Sequence, residues 1–189
     1  MESKDKLYFI LLSGKAGAGK DTTANILRDK YGFIKHRYAD SLKDVLLYAG
    51  WDGKKDLRGR KLLQRVGKAF RDWDVNFWVD KLLMKVIDDI KKGHNKFCIA
   101  DVRHENELIH FKNFMYERYP YSNIIYAKIY GPELHGKIVR EMDEETLNDI
   151  SETGVDHIIP DVKIYNTIMG GFEFLEAQLD LLIEHIFSY

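Results

Sequence analysis

The sequence has few of the features that mark secreted, membrane-bound or nucleic-acid-coating proteins. One cysteine, Cys98, occurs among 189 residues, so no internal disulfide can form. It lies in the apolar run Phe97-Cys98-Ile99-Ala100, where it reads as a small core hydrophobe, and a reducing compartment is expected. Long apolar runs are missing near the N-terminus. The longest there, residues 7–12, is six residues, too short for a signal-peptide core or a membrane span. It reads instead as a buried strand, and a cytoplasmic protein with no membrane partner is expected. Basic excess is also missing: 29 Lys and Arg against 30 Asp and Glu leave a net charge of −1. That disfavours a general nucleic-acid binder, though not a local basic site for an anionic ligand. No Ser-His-Asp array or zinc spacing is evident, and the seven histidines are scattered, each reading as a surface or core residue. Internal repeats and low-complexity stretches are absent.

What is present points to one packed domain over residues 1–189, with 45% hydrophobic and 31% charged residues. Residues 7–12 are apolar at every position, the mark of a central parallel strand. A glycine-rich segment breaks that strand, and a helix from Lys20 to about Lys30 follows, stopped by Gly32. Residues 33–38 predict a weaker strand, and Ser41 reads as the N-cap of a helix carrying Leu42, Val45, Leu46 and Ala49. Amphipathic helices are predicted over about 59–73 and 75–91, the first with Leu62, Leu63, Val66, Ala69, Phe70 and Trp73 inward. Strands at 97–100, 124–130 and 162–165 alternate with helices at 105–118 and 172–187. Strand and helix in alternation define a three-layer α/β fold with a mainly parallel five-stranded sheet, carrying a helical insertion at 41–95. The polar segment 131–161 reads as a lid, with Lys137 and Arg140 as its cations and the acidic run at 141–145 facing solvent.

The strongest chemical signal is Gly14-Lys15-Ala16-Gly17-Ala18-Gly19-Lys20-Asp21-Thr22. Gly14 and Gly19 are separated by four residues with Lys20 directly after, between an apolar strand and a helix. Glycines let the backbone curl so that N–H groups converge on phosphate oxygens, and the helix adds its positive end. Lys20 then brings a compact cation to the β- and γ-phosphates. A nucleoside triphosphate, with Mg²⁺, is the expected ligand. Asp21 departs from the usual Ser or Thr at this position. A carboxylate beside a triphosphate is unfavourable unless a cation or proton donor intervenes. Asp21 is therefore expected to work through Mg²⁺, directly or by a water, with Thr22 bonding an α- or β-phosphate oxygen. The alternative is that Asp21 only favours the positive end of the helix.

Leu12-Ser13-Gly14 with Gly19-Lys20-Asp21-Thr22-Thr23-Ala24 resembles the phosphate loop of the phage-type deoxynucleoside monophosphate kinases. The likeness continues through Ala39-Asp40-Ser41-Leu42-Lys43-Asp44 and the helix segment Arg60-Lys61-Leu62-Leu63-Gln64-Arg65-Val66-Gly67. It extends to Phe77-Trp78-Val79, to Asp101-x-Arg103 with Glu107, and to Ser151-Glu152-Thr153. Where the family carries histidine ahead of its Ser-Glu pair, this chain has Asp149. The resemblance implies a P-loop kinase that phosphorylates a (deoxy)nucleoside monophosphate with ATP. It further implies substrate contacts at Asp40 and Glu152, a place for the donor's base beside Asn166-Thr167, and a homodimer.

Residues 54–71 hold eight Lys and Arg residues against the single acid Asp56. Arg60 and Lys61, at a helix start beside a loop, read as a phosphate site, since the planar fork of arginine grips phosphate with two parallel bonds. Lys68 and Arg71 read as an ordinary solvated face. Asp101 ends a strand beside the phosphate loop, where ligands of such sheets sit. It is expected to orient water or Mg²⁺, with Arg103 bridging donor and acceptor phosphates. The alternatives are a helix cap for Asp101 and a surface ion pair for Arg103. A monophosphate acceptor is already ionised near neutral pH, which suits a chain with no evident strong base. Two other functions stay open. One is a kinase acting on another phosphorylated small molecule, such as dephospho-coenzyme A; the other is a non-catalytic P-loop switch. Against the switch, Asn95-Lys96-Phe97-Cys98 lacks the Asp of a guanine-reading motif.

Overall fold

A computed structural model describes residues 6–131, 154–167 and 170–188. Five parallel strands form one sheet: β1 (Tyr8–Ser13), β2 (Ile34–His36), β3 (Lys96–Ile99), β4 (Asn123–Tyr130) and β5 (Val162–Tyr165), in the order β2-β3-β1-β4-β5. The uniform apolarity of β1 follows from its central place, with a covered face on each side. Phe9 and Leu11 point one way, Ile10 and Leu12 the other, by the two-residue period of a strand.

Phe9 and Leu11 meet the helices α4 (Phe77–Lys91) and α5 (Glu105–Arg118), through Val79, Leu82, Val86, Phe111 and Met115. Ile10 and Leu12 meet α1 (Lys20–Tyr31) and α6 (Gly171–Phe187), through Ala24, Leu27, Leu179 and Ile186. The result is helix, sheet, helix, the predicted three-layer α/β architecture. Two more helices, α2 (Tyr38–Tyr48) and α3 (Leu57–Trp73), join α4 in a smaller cluster around Leu42, Leu46 and Trp78. Among the described residues no helix is long and apolar enough to cross a membrane.

Three expectations need correction. Ser41 does not cap α2; the helix starts four residues earlier, with Arg37 at the cap position. The reason lies across the sheet, where the Asp101 carboxylate accepts the backbone N–H groups of Tyr38 (2.7 Å) and Ala39 (3.1 Å). A distant side chain thus serves the N-cap role that local residues usually fill. For the same reason β2 is shorter than the predicted 33–38. On α3, Trp73 is 75% exposed rather than inward. The α3 start is set locally, by Asp56 accepting the Gly59 N–H at 2.8 Å.

Candidate functional site

At the carboxyl end of β1 the chain turns through three glycines with positive φ: Gly14 (144°), Gly17 (79°) and Gly19 (103°). Side chains are excluded here by space as well as by conformation. A Cβ on Gly14 would lie 2.5 Å from the Ile129 carbonyl oxygen, and one on Gly19 2.2 Å from the Asn166 amide nitrogen. The loop ends at Gly19, and α1 begins with Lys20, so the first N–H groups of the helix face the loop. Lys15 is exposed on this loop and Ala18 is buried beneath it. The Lys20 ammonium folds back on the loop, donating to the carbonyls of Gly14 and of Lys15 (3.0 Å). These residues form a preorganised anion cradle.

Asn166, expected beside the donor's base, bonds the phosphate loop. Its amide donates to the Ala18 carbonyl at 3.0 Å, while its backbone N–H bonds the Tyr130 carbonyl at 2.8 Å. Thr22 is exposed on the first turn of α1 and faces a groove shared with Phe172 and Glu176 of α6. Whether by packing or by hydrogen bond, β4 and β5 both brace the loop.

Beside the cradle opens a cavity of about 230 Å³, walled by the ends of β2 and β3 and by α2, α3 and α4. Seven cationic residues line it: Lys20, Arg37, Lys43, Lys55, Arg60, Arg71 and Arg103. The acids are Asp21, Asp101 and Glu107, and the apolar walls are Leu42, Leu63 and Trp78. The Trp78 indole is fixed by a bond to the Gly67 carbonyl at 3.1 Å. Lys55 shows the crowding of charge. Partial desolvation, then the neighbouring Lys43 and Arg37, hold its ammonium below the usual lysine range. Such a cluster is relieved by an anion.

The predicted site residues divide. Lys20, Asp21, Arg60, Asp101 and Arg103 come together around this cavity, whereas Asp40 and Lys61 do not line it. Asp40 pairs with Lys43 at 2.8 Å. Arg71, read as solvated face, lines the cavity, while Lys68 behaves as that reading expects, in an ion pair with Asp72. Glu152, Lys137 and Arg140 lie outside the described residues, as does most of the segment read as a lid. Arg37, Lys43 and Tyr38 were not foreseen. Arg37 and Lys35 lie two apart at the end of β2, so the strand period aims both at α1, a signal readable only once β2 is known to dock there.

The carboxylates are already engaged. Desolvation alone would raise the Asp21 carboxyl, but the Lys35 hydrogen bond (2.9 Å) and the charge of Arg37 outweigh it and hold it below its usual value. Burial raises Asp101, opposed by the two N–H groups it accepts and by Arg103. Glu107 is pushed up to about 8 by burial and then by Asp101, while its Oε2 accepts the N–H groups of Arg103 (2.7 Å) and His104 (3.0 Å). Among the described residues no cluster of three His, Cys, Asp or Glu could hold a metal. Asp21 Oδ1 is paired with Lys35 and Arg37, and both Asp101 oxygens accept backbone N–H groups.

The parallel sheet, with the glycine loop after its central strand and α1 opening behind it, defines a P-loop α/β fold. No family model matches the chain, and no curated protein does. Among solved structures it is similar to a dephospho-CoA kinase from Campylobacter jejuni. The identity is 17% and the TM-score 0.44, over 95% of this chain and 96% of that one. A similarity of that degree assigns no substrate.

Proposed function

We propose that the chain transfers the γ-phosphoryl group of a nucleoside triphosphate, ATP by its sequence resemblance, to a (deoxy)nucleoside monophosphate. One observation carries the reading: a cavity lined by seven cations opens beside the phosphate loop, with Lys20 common to both. In this reading the loop binds the triphosphate, and Lys20 leaves the Gly14 and Lys15 carbonyls to meet charge on the β- and γ-phosphates. Arg60 holds the acceptor phosphate, and Arg103 spans the two phosphate groups as negative charge spreads over the transferring group. Leu42, Leu63 and Trp78 supply an apolar wall for the rest of the acceptor. Catalysis is then positioning and charge neutralisation.

The state of the carboxylates favours a phosphate over a hydroxyl as acceptor. A hydroxyl, as in a dephospho-coenzyme A-like acceptor, needs a base. Asp21 is ion-paired with a depressed pKa, and both Asp101 oxygens accept backbone N–H groups. Glu107 is 4% exposed, and its Oε2 is taken by the N–H groups of Arg103 and His104. A phosphate acceptor needs none of them. A purely switching role leaves the second cationic cavity without purpose.

Lys20→Ala tests the loop assignment. Loss of a contact to developing charge typically costs about 3 kcal/mol, or about a hundredfold in rate. The expected result is that fall in acceptor-dependent kcat, with an unchanged circular-dichroism spectrum. A variant retaining more than about a third of wild-type kcat overturns the assignment.

A further inference from the structure

The acid that follows the loop lysine belongs to no cluster of three metal-ligating side chains among the described residues, yet it is held firmly. Lys35 of β2 and Arg37, the first residue after that strand, both reach the first turn of α1, where the Asp21 carboxylate accepts a hydrogen bond from each. Lys35 is held a second time, by the Asn25 side chain at 2.9 Å. Only 12% of the Lys35 side chain is exposed, against 27% for Arg37, which lines the cavity. The backbone on the far side of Arg37 is also fixed, because Asp101 accepts the N–H groups of Tyr38 and Ala39. The backbone directly after Arg37 is therefore held by Asp101, and the Arg37 guanidinium by Asp21 of α1. Arg37 stands in the same cavity as Lys43, Lys55 and Arg60.

We propose that Arg37 grips the acceptor's phosphate and that Asp21 is the positioning residue that presents it, resting on the phosphotransfer reading above. A guanidinium has five N–H donors in a fixed fork, so it can keep one edge on Asp21 and turn the other to a phosphate monoester. The carboxylate also offsets one positive charge while the acceptor is absent, which lets two cations stay close to Lys20. Asp21 thereby couples the two ligands. It follows Lys20 in the donor loop, and its partner faces the acceptor. This accounts for an acid where a metal-binding hydroxyl is usual.

Asp21→Ser separates the roles, since serine restores a metal-binding hydroxyl but cannot hold Arg37. Steady-state kinetics of Asp21→Ser, Arg37→Gln and the double variant are expected to show acceptor KM raised about tenfold or more in each single variant. ATP KM and the Mg²⁺ dependence stay near wild type, and the double variant is no worse than Arg37→Gln alone. Arg37→Lys, which keeps charge without the fork, recovers part of the loss. An unchanged acceptor KM, a raised Mg²⁺ requirement in Asp21→Ser, or additive losses in the double variant each overturn the proposal. A second arm needs no turnover: inorganic phosphate titrated into protein saturated with a non-hydrolysable ATP analogue, followed by tryptophan fluorescence. Phosphate is expected to bind wild type and to bind both single variants about tenfold more weakly. No binding to wild type, or equal binding to all three, overturns the assignment of Arg37. Phosphate binding of the expected pattern without any phosphotransfer sinks the kinase reading alone.

Discussion

Glu107 is 4% exposed and lies under the floor of the cavity, its Oε2 bonded by the N–H groups of Arg103 and His104. Its carboxyl is pushed from an ordinary 4.5 up to about 8. Between those values the folded chain holds a proton that the unfolded chain has released, so this residue makes stability fall as pH rises from about 4.5 to about 8. Glu107→Gln cannot ionise, and its amide oxygen can still accept both N–H groups. Melting temperatures of variant and wild type across about pH 4 to 9 should show the difference, variant minus wild type, growing through that window and flat above it. A difference independent of pH contradicts the assignment. At this scale the sequence was readable where a residue acts through its neighbours in the chain. Lys20 and the glycines belong to that group. Arg37 was not readable, because its meaning comes from a strand edge that docks on α1. Asp101 was placed correctly beside the loop, but its engagement with the start of α2 is a contact across 63 positions.

Among the elements, the phosphate loop depends on β4 and β5 as much as on its own glycines. Gly131, directly after β4, does not have a positive φ, so alanine suits its backbone. Its added Cβ, however, would lie 2.4 Å from the Ala18 Cα and 2.7 Å from the Ala18 carbonyl oxygen. Backbone at that separation must shift, and the loop is what moves. Gly131→Ala should therefore weaken binding of a non-hydrolysable ATP analogue by about tenfold or more in calorimetry, while the far-UV spectrum stays wild type. Unchanged affinity would show that the loop does not rely on this contact. Element order and type were legible because β1 is apolar throughout and the helices carry strong stripes. The boundary of α2 was not, since its cap comes from β3. Trp73 fitted the α3 stripe by spacing, yet it lies exposed at the end of the helix, beside the Phe77 ring.

At the scale of the whole molecule a net charge of −1 conceals a strongly uneven distribution. Seven cations meet at one cavity, while many of the acids are spent in surface pairs such as Arg28 with Asp29 and Lys92 with Asp89. The near-neutral composition disfavours a general nucleic-acid binder but could not reveal that convergence, which the crossovers from β2 and β3 create. The central claim is that this cavity receives a phosphate that accepts the γ-phosphoryl group. Its most direct measurement is ADP release from ATP over a panel of nucleoside and deoxynucleoside monophosphates, with the product identified by phosphorus NMR. The account predicts that ADP forms in equal amount with the diphosphate of at least one acceptor, joined by a new phosphoanhydride bond. ATP hydrolysis at the same rate without acceptor, no turnover with any member, or a product phosphorylated on a hydroxyl would contradict it.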